Sequence, residues 1–144
     1  MRSIWITKDS LCFHLTALCS HCSLLTDLTL SFCSYIDDSG LAYLTYCKKL
    51  RSLRLNSAPE ISSSGLVSVA VGCRSLSAFH LVDCMGVRSV EWLEYLGRDG
   101  SLEELVVKGC KGISQYDLLK RGDERPLIRT IPGDTRACAL QETN

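Results

Sequence analysis

The stretch LTDLTLSFCSYIDDSGLAYLTYC, residues 25–47, contains one complete copy of the pattern that the rest of the chain repeats. It opens with the spacing L-x-x-L-x-L, where apolar and polar residues alternate, and this period of two is typical of a short strand that buries one side. From Gly40 onward, Leu41, Leu44 and Cys47 follow at the spacing of a helix with one buried face. One strand, one turn and one short helix cannot enclose a core, so the unit must pack against further copies.

Three more copies follow at a nearly constant distance. The leucines that open the four copies lie 25 or 26 residues apart, at Leu25, Leu50, Leu76 and Leu102. A period of about 20–29 residues combined with L-x-x-L-x-L-x-x-N/C is the signature of a leucine-rich repeat. The sequence therefore predicts an α/β solenoid of about four to five repeats. It would form a horseshoe arc, with parallel strands on the concave face and short helices on the convex face.

The repeat divides the chain into an incomplete N-terminal repeat (1–24), the leucine-rich-repeat array (25–121) and an irregular or disordered C-terminal tail (122–144). In the first segment, Ile6 matches Ile36, and the L-x-x-L-x-L strand expected before it is missing. The stub Ile4-Trp5-Ile6 is all that remains of that strand. We therefore expect a chain that begins in mid-repeat, as a fragment or variant of a longer protein would. Within the array, Gly40 and Gly65 are expected to allow the backbone geometry that starts each helix.

Composition and motifs argue against several classes of function. The 16 basic and 16 acidic residues give a formal net charge of zero, which favours neither nucleic acid nor a membrane surface as partner. No run approaches the roughly 18 apolar residues of a membrane span. The sequence lacks the motifs of serine hydrolases, zinc proteases and phosphate-binding loops, so we predict neither an enzyme nor a cofactor. His80 is predicted to be a surface contact residue and not a catalytic base.

Six of the nine cysteines recur at two repeat positions. The first position follows a strand and the second lies three residues before an opening leucine: Cys33, Cys84 and Cys110 at the first, Cys22, Cys47 and Cys73 at the second. Ala58 takes the first position in the second copy, as expected where a cysteine acts as a small buried hydrophobe. We therefore predict reduced structural thiols and a protein of the cytoplasm, the nucleus or both.

A second group of cysteines and histidines lies near the N-terminus, at Cys12, His14, Cys19, His21 and Cys22. Cys19-x-x-Cys22 has the spacing of a zinc-ligand pair. However, Cys22 already has a repeat position, and no second C-x-x-C pair follows. A redox pair would require a βαβ setting that is absent from the pattern. Ordinary packing is the favoured interpretation, and no metal site is predicted.

The side chains between the strand leucines point away from the core, because successive residues of a strand alternate between the two faces. Three columns of equivalent positions follow: Asp27, Ser52, Ala78 and Glu104; Thr29, Arg54, His80 and Val106; Ser31, Asn56, Val82 and Lys108. Their mixture of charges, hydroxyls and apolar groups suits a protein or peptide, and concave solenoid surfaces are extended binding sites. We predict that all of them except Ala78 contact a protein substrate.

Two other interpretations of these positions remain open. They could be solvated strand residues without a ligand, or the site could lie at the irregular third copy around Trp92 to Asp99. There Glu91 stands at the repeat position that glycine occupies in the two preceding copies.

The repeat motif is more specific than a general leucine-rich repeat. The spacing L-x-x-L-x-L-x-x-C-x-x-I-x-D-x-G-L resembles the cysteine-containing subtype found in F-box/leucine-rich-repeat proteins, and the match is carried by Leu28, Leu30, Cys33, Ile36, Asp38, Gly40, Leu41 and Cys47. The stretch KGCKGISQYDLLK, residues 108–120, looks most like plant members of that group. The resemblance covers residues 6–120 or so. It implies that the repeats recognise a substrate for an SCF-type ubiquitin ligase, in which a separate F-box segment binds a Skp-type adaptor and, through it, a cullin.

No candidate F-box precedes Ile6 in this sequence, because the repeat pattern has already begun there. We therefore expect adaptor and cullin binding only from a longer form that carries an F-box. The alternative is a stand-alone repeat scaffold, or a decoy that binds the substrate without a ligase role.

Overall fold

The computed structural model of the protein describes residues 3–7, 24–96 and 102–113. These residues form one parallel sheet whose strands follow chain order: β1 (Ser3–Thr7), β2 (Asp27–Ser31), β3 (Ser52–Asn56), β4 (Ala78–Val82) and β5 (Glu104–Lys108). Each strand pairs with the next over five residues, and equivalent repeat positions lie opposite each other. This register confirms the predicted repeat, since moving by one period along the sequence moves by one strand across the sheet.

Short helical segments follow β2, β3 and β4. They are α1 (Asp38–Ala42), which continues as a 3-10 helix (Tyr43–Tyr46), then α2 (Ser63–Gly72), and finally a second 3-10 helix (Glu91–Glu94). Consecutive segments pack against one another, α1 on α2 and α2 on the second 3-10 helix. The helical segments predicted after β2, β3 and β4 are therefore present, and among the described residues only the one in the second copy is an α-helix of ten residues. The helices predicted for the N-terminal segment and for the fourth copy lie outside the described residues.

The core lies between one face of the sheet and these helical segments. Two residues of each strand from β2 to β5 point into it, as the alternation predicts: Leu28 and Leu30, Leu53 and Leu55, Phe79 and Leu81, Leu105 and Val107. They share one buried cluster with the apolar residues of the helices, such as Leu41, Leu66 and Val69. Full burial of one such side chain contributes roughly 1.5–3 kcal/mol, so the repeated leucines supply most of the stabilisation.

The third copy has an aromatic pair at the centre of its core. Trp92 is fully buried, and its ring meets that of Phe79 edge to face at a centroid distance of 5.6 Å. Its indole N–H donates to the Ser89 carbonyl at 2.8 Å, which satisfies the one polar atom of the side chain. Trp92 is therefore a core residue and is not available to a partner at the surface. The remainder of the third-copy loop, residues 97–101, lies outside the described residues.

The strand of the incomplete N-terminal repeat differs from its expected form. Ser3–Thr7 is a strand of the same length as the others, and Ile4 and Ile6 lie opposite Leu28 and Leu30 of β2. The match of Ile6 with Ile36 was therefore wrong, because Ile6 belongs to a strand and not to the turn after it. The error arose because Ile4-Trp5-Ile6 carries no leucine in the expected spacing, although isoleucine pairs on a sheet equally well.

The glycine at the start of α2 is required for space and not for backbone freedom. Among the described glycines only Gly109 has a positive φ, so the expectation for Gly40 and Gly65 is wrong. A Cβ added at Gly65 would lie 2.3 Å from Oδ1 of Asp38 in the preceding copy. That carboxylate accepts hydrogen bonds from the backbone N–H of Ser62, at 2.8 Å, and from the Ser62 hydroxyl. Asp38 thus links two consecutive copies at the N-terminus of α2.

Each strand from β2 to β5 is followed by a residue in the left-handed region of backbone conformation. Their φ angles lie between 53° and 64°: Phe32, Ser57, Asp83 and Gly109. The first three donate their N–H to the carbonyl of the last residue of the next strand at 2.8–2.9 Å. This pairing extends the parallel ladder by one residue and offsets the roughly 1–2 kcal/mol that a left-handed conformation costs a residue other than glycine.

We expect neighbouring residues of β3 to respond differently to truncation. Leu53 is fully buried, so Leu53→Ala should lower the free energy of unfolding by about 2–5 kcal/mol. Arg54 is exposed on the opposite face, so Arg54→Ala should change it by less than about 0.5 kcal/mol. Urea unfolding followed by circular dichroism measures both, and equal costs at the two positions would contradict the strand orientation.

Gly65→Ala should destabilise the protein, although alanine usually stabilises a helix interior by about 0.5–1 kcal/mol relative to glycine. The new methyl group would collide with the Asp38 carboxylate. In an Asp38→Ser background, where the side chain is shorter, the cost of Gly65→Ala should be smaller. A double-mutant cycle on urea unfolding should give a coupling of about 0.5–3 kcal/mol between the two sites. Independent effects would rule out the steric explanation.

Candidate protein-interaction surface

The sheet face that points away from the core contains all three predicted columns. We call it the open sheet face and define it by the first, third and fifth residues of each strand. The register of β2 to β5 aligns Asp27 with Ser52, Ala78 and Glu104; Thr29 with Arg54, His80 and Val106; and Ser31 with Asn56, Val82 and Lys108. β1 adds Ser3, Trp5 and Thr7 to the same columns. The predicted residues therefore share one face, and whether they bind a protein stays a prediction.

Members of the open sheet face differ in accessibility. Arg54 is exposed, and most of the other predicted residues are half-buried. Ser31 and Val106 are only 8% and 4% exposed, so the expectation that they offer contact surface is wrong. The hydroxyl of Ser31 accepts a hydrogen bond from the Asn56 side-chain amide at 3.1 Å, and this contact ties it to the neighbouring strand. Val106 is apolar and buried, although it lies outside the main core cluster.

Both carboxylates of the first column contact a side chain of a neighbouring strand. Asp27 Oδ2 accepts from the hydroxyl of Ser3 at 3.2 Å and from that of Thr26 at 3.0 Å. Glu104 Oε1 pairs with Nε2 of His80 on the adjacent strand. His80 was predicted to be a free surface contact, but the structure makes it half of a lateral pair. These contacts hold β1 to β2 and β4 to β5 on the side of the sheet opposite the core.

Arg54 occupies the centre of the open sheet face without a counter-ion from the described residues. Its guanidinium makes no ion pair there, and the two carboxylates of the face, Asp27 and Glu104, contact other side chains. An unpaired guanidinium presents up to five N–H donors in a planar fork, which matches a carboxylate. The arrangement is suited to receiving an external acidic group.

Trp5 is the residue of this face that sequence reasoning missed. Its backbone lies opposite Thr29 in the central column, and its side chain is 73% exposed. Tryptophan is rarely so accessible without a role, and it is enriched among the residues that dominate binding energy. The alternation of Ile4, Trp5 and Ile6 was the available signal, since it is the period-two pattern of the other strands.

Five of the six repeat cysteines lie among the described residues, and all five are buried and form no disulfide there: Cys33, Cys47, Cys73, Cys84 and Cys110. Several thiols donate to a carbonyl of the preceding copy. Cys84 donates to Leu55 at 3.6 Å, Cys110 to Leu81 at 3.7 Å and Cys73 to Leu44 at 3.4 Å. The cysteines therefore connect consecutive copies, which goes beyond the predicted role as small hydrophobes. Cys22 lies outside the described residues.

Burial also changes the acidity of these thiols. Desolvation, with a smaller effect of the neighbouring Cys47, raises the pKa of Cys73 from 9.0 to about 12. A hydrogen bond with the Cys84 thiol, together with burial, raises the pKa of Cys110. Both thiols are protonated near neutral pH and are weak nucleophiles and weak metal ligands in that form.

The N-terminal group of cysteines and histidines from Cys12 to Cys22 lies outside the described residues. Within the described ranges, no three His, Cys, Asp or Glu side chains are placed so that they could hold a metal ion. A search of the same residues finds no helix with the length and apolar character needed to cross a membrane.

Comparison with known families agrees with this geometry. Residues 21–44 match the family model of the leucine-rich repeat. This match, together with the five-stranded parallel sheet and the short helical segments behind it, defines the fold as an α/β leucine-rich-repeat solenoid. Solenoids of this class present extended surfaces for protein partners, so the repeats indicate a protein-interaction module.

The raised pKa of Cys73 predicts a loss of stability at high pH. Between about pH 9 and pH 12 the unfolded chain releases this proton while the folded chain keeps it, so the free energy of unfolding should fall as the pH rises. The contribution of one such thiol is at most about 1.4 kcal/mol per pH unit. Cys73→Ala should remove this contribution and flatten the curve, measured by urea unfolding from pH 8 to pH 11. Parallel curves for the two proteins would contradict the assignment.

Proposed function

We propose that this chain is a non-enzymatic substrate-recognition module, namely the repeat part of an F-box-type receptor for an SCF ubiquitin ligase. The partner would be a protein bound on the open sheet face. A Skp-type adaptor and a cullin would join only through an F-box on a longer form of the protein. We further propose that it acts in the cytoplasm, the nucleus or both, and the thiol form of its buried cysteines supports a reducing compartment.

One observation carries the binding role. The core uses the leucine-type residues of each strand from β2 to β5, whereas the opposite face carries polar side chains of which several pair laterally and Arg54 and Trp5 stay exposed. Their charges and hydroxyls suit a polar, specific contact with a protein. A row of solvated residues needs no tryptophan at 73% exposure and no unpaired arginine, so a ligand explains the face better than solvation does.

The ligase assignment is supported by the resemblance in repeat subtype. The positions that distinguish this subtype have definite roles in the structure. Cys84 and Cys110 donate to the preceding copy, while Asp38 binds the start of the next helix. The motif residues therefore form hydrogen bonds between consecutive copies. The step from this motif to ubiquitin ligation is the proposal.

The binding role is tested by a triple variant of the open sheet face. Arg54→Ala, His80→Ala and Lys108→Ala together should abolish capture of the protein partner from a lysate of the source cells, and should lower thermal stability no more than His80→Ala alone does through the loss of its pair with Glu104. The matched control replaces three exposed cations elsewhere, Lys49, Arg74 and Lys111, and should retain capture. Capture that survives the first variant and fails in the control would place the site away from the open sheet face.

The ligase role is tested separately on the captured partner. Overexpression of this chain should lengthen the half-life of that partner, and a proteasome inhibitor should also lengthen it. The two treatments together should lengthen the half-life no more than the inhibitor alone. The open-face triple variant should leave the half-life unchanged. A partner whose turnover responds neither to the inhibitor nor to the chain would exclude ubiquitin-dependent degradation and leave the stand-alone scaffold.

A further inference from the structure

We infer that the open sheet face recognises a protein segment that presents a carboxylate to Arg54 and an apolar side chain to Trp5. The inference rests on the proposed binding function and specifies the chemistry of the partner. It follows from the charges that the face leaves unpaired and from the positions of its two most accessible long side chains.

Charge complementarity selects the acidic group. The face contains two carboxylates, Asp27 and Glu104: Asp27 accepts from Ser3 of the neighbouring strand and from the adjacent Thr26, and Glu104 pairs with His80 of its neighbouring strand. Arg54 lies between them in the central column and has no counter-ion among the described residues. A carboxylate on the partner would form the bidentate hydrogen bonds that a guanidinium favours.

The second contact is apolar. Trp5 shares the central column with Arg54, two strands away, so the two backbones are about 10 Å apart at the usual strand spacing. Thr29 lies between them in the column, and its side chain is shorter and less exposed than those of Trp5 and Arg54. We call these three residues the Trp5–Arg54 notch. An apolar side chain against the indole and an acid at the guanidinium would span it.

The same charges disfavour a nucleic acid. Asp27 and Glu104 both lie in the first column, beside the central one, and would repel regular phosphates that run along that side of the face, while Lys108 is the only Lys or Arg besides Arg54 among the described strand positions of the face. A single carboxylate on an otherwise neutral segment reaches Arg54 without meeting them. The notch therefore favours a peptide with one well-placed acid.

Selection from a random peptide library displayed on phage tests the inference directly, with the full chain as bait. Wild-type protein should enrich peptides that combine Asp or Glu with a large apolar residue. Arg54→Glu should select Lys or Arg in place of the acid. Arg74→Glu, an exposed arginine outside the open sheet face, should select the same peptides as wild type.

Binding of one enriched peptide should then weaken by about 10-fold or more in Arg54→Gln, as expected when a charged hydrogen-bond partner is lost. Trp5→Ala should weaken it by a similar factor, whereas Trp5→Phe should keep most of the affinity. The tryptophan emission should shift to the blue on peptide addition in wild type and not in Trp5→Phe, because Trp92 is already buried.

Different failures have different meanings. One contrary outcome is that the enriched peptides bind wild type and not the open-face triple variant, but contain no acid. Another is that wild type and Arg54→Glu select the same peptides. Either outcome would overturn the inference and leave the binding role intact. No enrichment over empty beads, or peptides insensitive to the triple variant, would overturn both. Tight binding of a fluorescent 20-nucleotide single strand, abolished by Arg54→Gln, would replace the peptide with a nucleic acid.

Discussion

Parallel pairing of equivalent residues is the constraint on which the other features of this protein depend. Each backbone ladder joins the same repeat position in consecutive copies, so that Leu28 meets Leu53 and Leu55 meets Leu81. Once this register is held, every position of the repeat becomes a column through the molecule. A residue must then suit the residues before and after it in its column, as well as its neighbours in sequence. The stacked leucines, the thiols and the open sheet face are three results of the same constraint.

The contacts between copies make the effect of a residue depend on the copy before it. Asp38 extends over the first turn of α2, and Gly65 provides the space for its carboxylate. One copy later Ser63 takes the role of Asp38, accepting from the backbone N–H of Ser89 at 3.0 Å, and Glu91 stands where Gly65 stood. A shorter side chain in one copy thus accompanies a larger one in the next. Energetics of this nearest-neighbour kind are typical of solenoids, whose copies contact only adjacent copies.

The fold could be predicted almost completely from the sequence, because its signals are periodic and local. Apolar alternation in the strands from Leu28 to Val107 is enough to orient them, and the constant repeat length is enough to order them. The left-handed residues could not be predicted as a set, since Phe32 and Ser57 are poor candidates for that conformation by type, although Asp83 is a better one. Their conformation is set by a hydrogen bond to the next copy, which no local pattern encodes.

The candidate site was only partly predictable for a related reason. Alternation correctly placed its columns, but it carries no information on which side chains pair laterally. The contact of His80 with Glu104 depends on rotamers and on the register between two strands. The exposure of Trp5 was missed because its strand lacks leucine, and the burial of Val106 was missed because alternation predicts only the face.

These pairings also separate two kinds of residue on the open sheet face. Asp27, His80 and Glu104 are bound to neighbours and help to hold adjacent strands together. Arg54 and Trp5 make no such contribution, and they lie on strands that do not touch each other, β3 and β1. A ligand across the Trp5–Arg54 notch would therefore join copies that the fold links only through β2. Because binding to the folded state alone stabilises it by mass action, such a partner would stabilise the folded form of the copies that it joins. Partner binding would then also stabilise the packing of β1, β2 and β3 against one another.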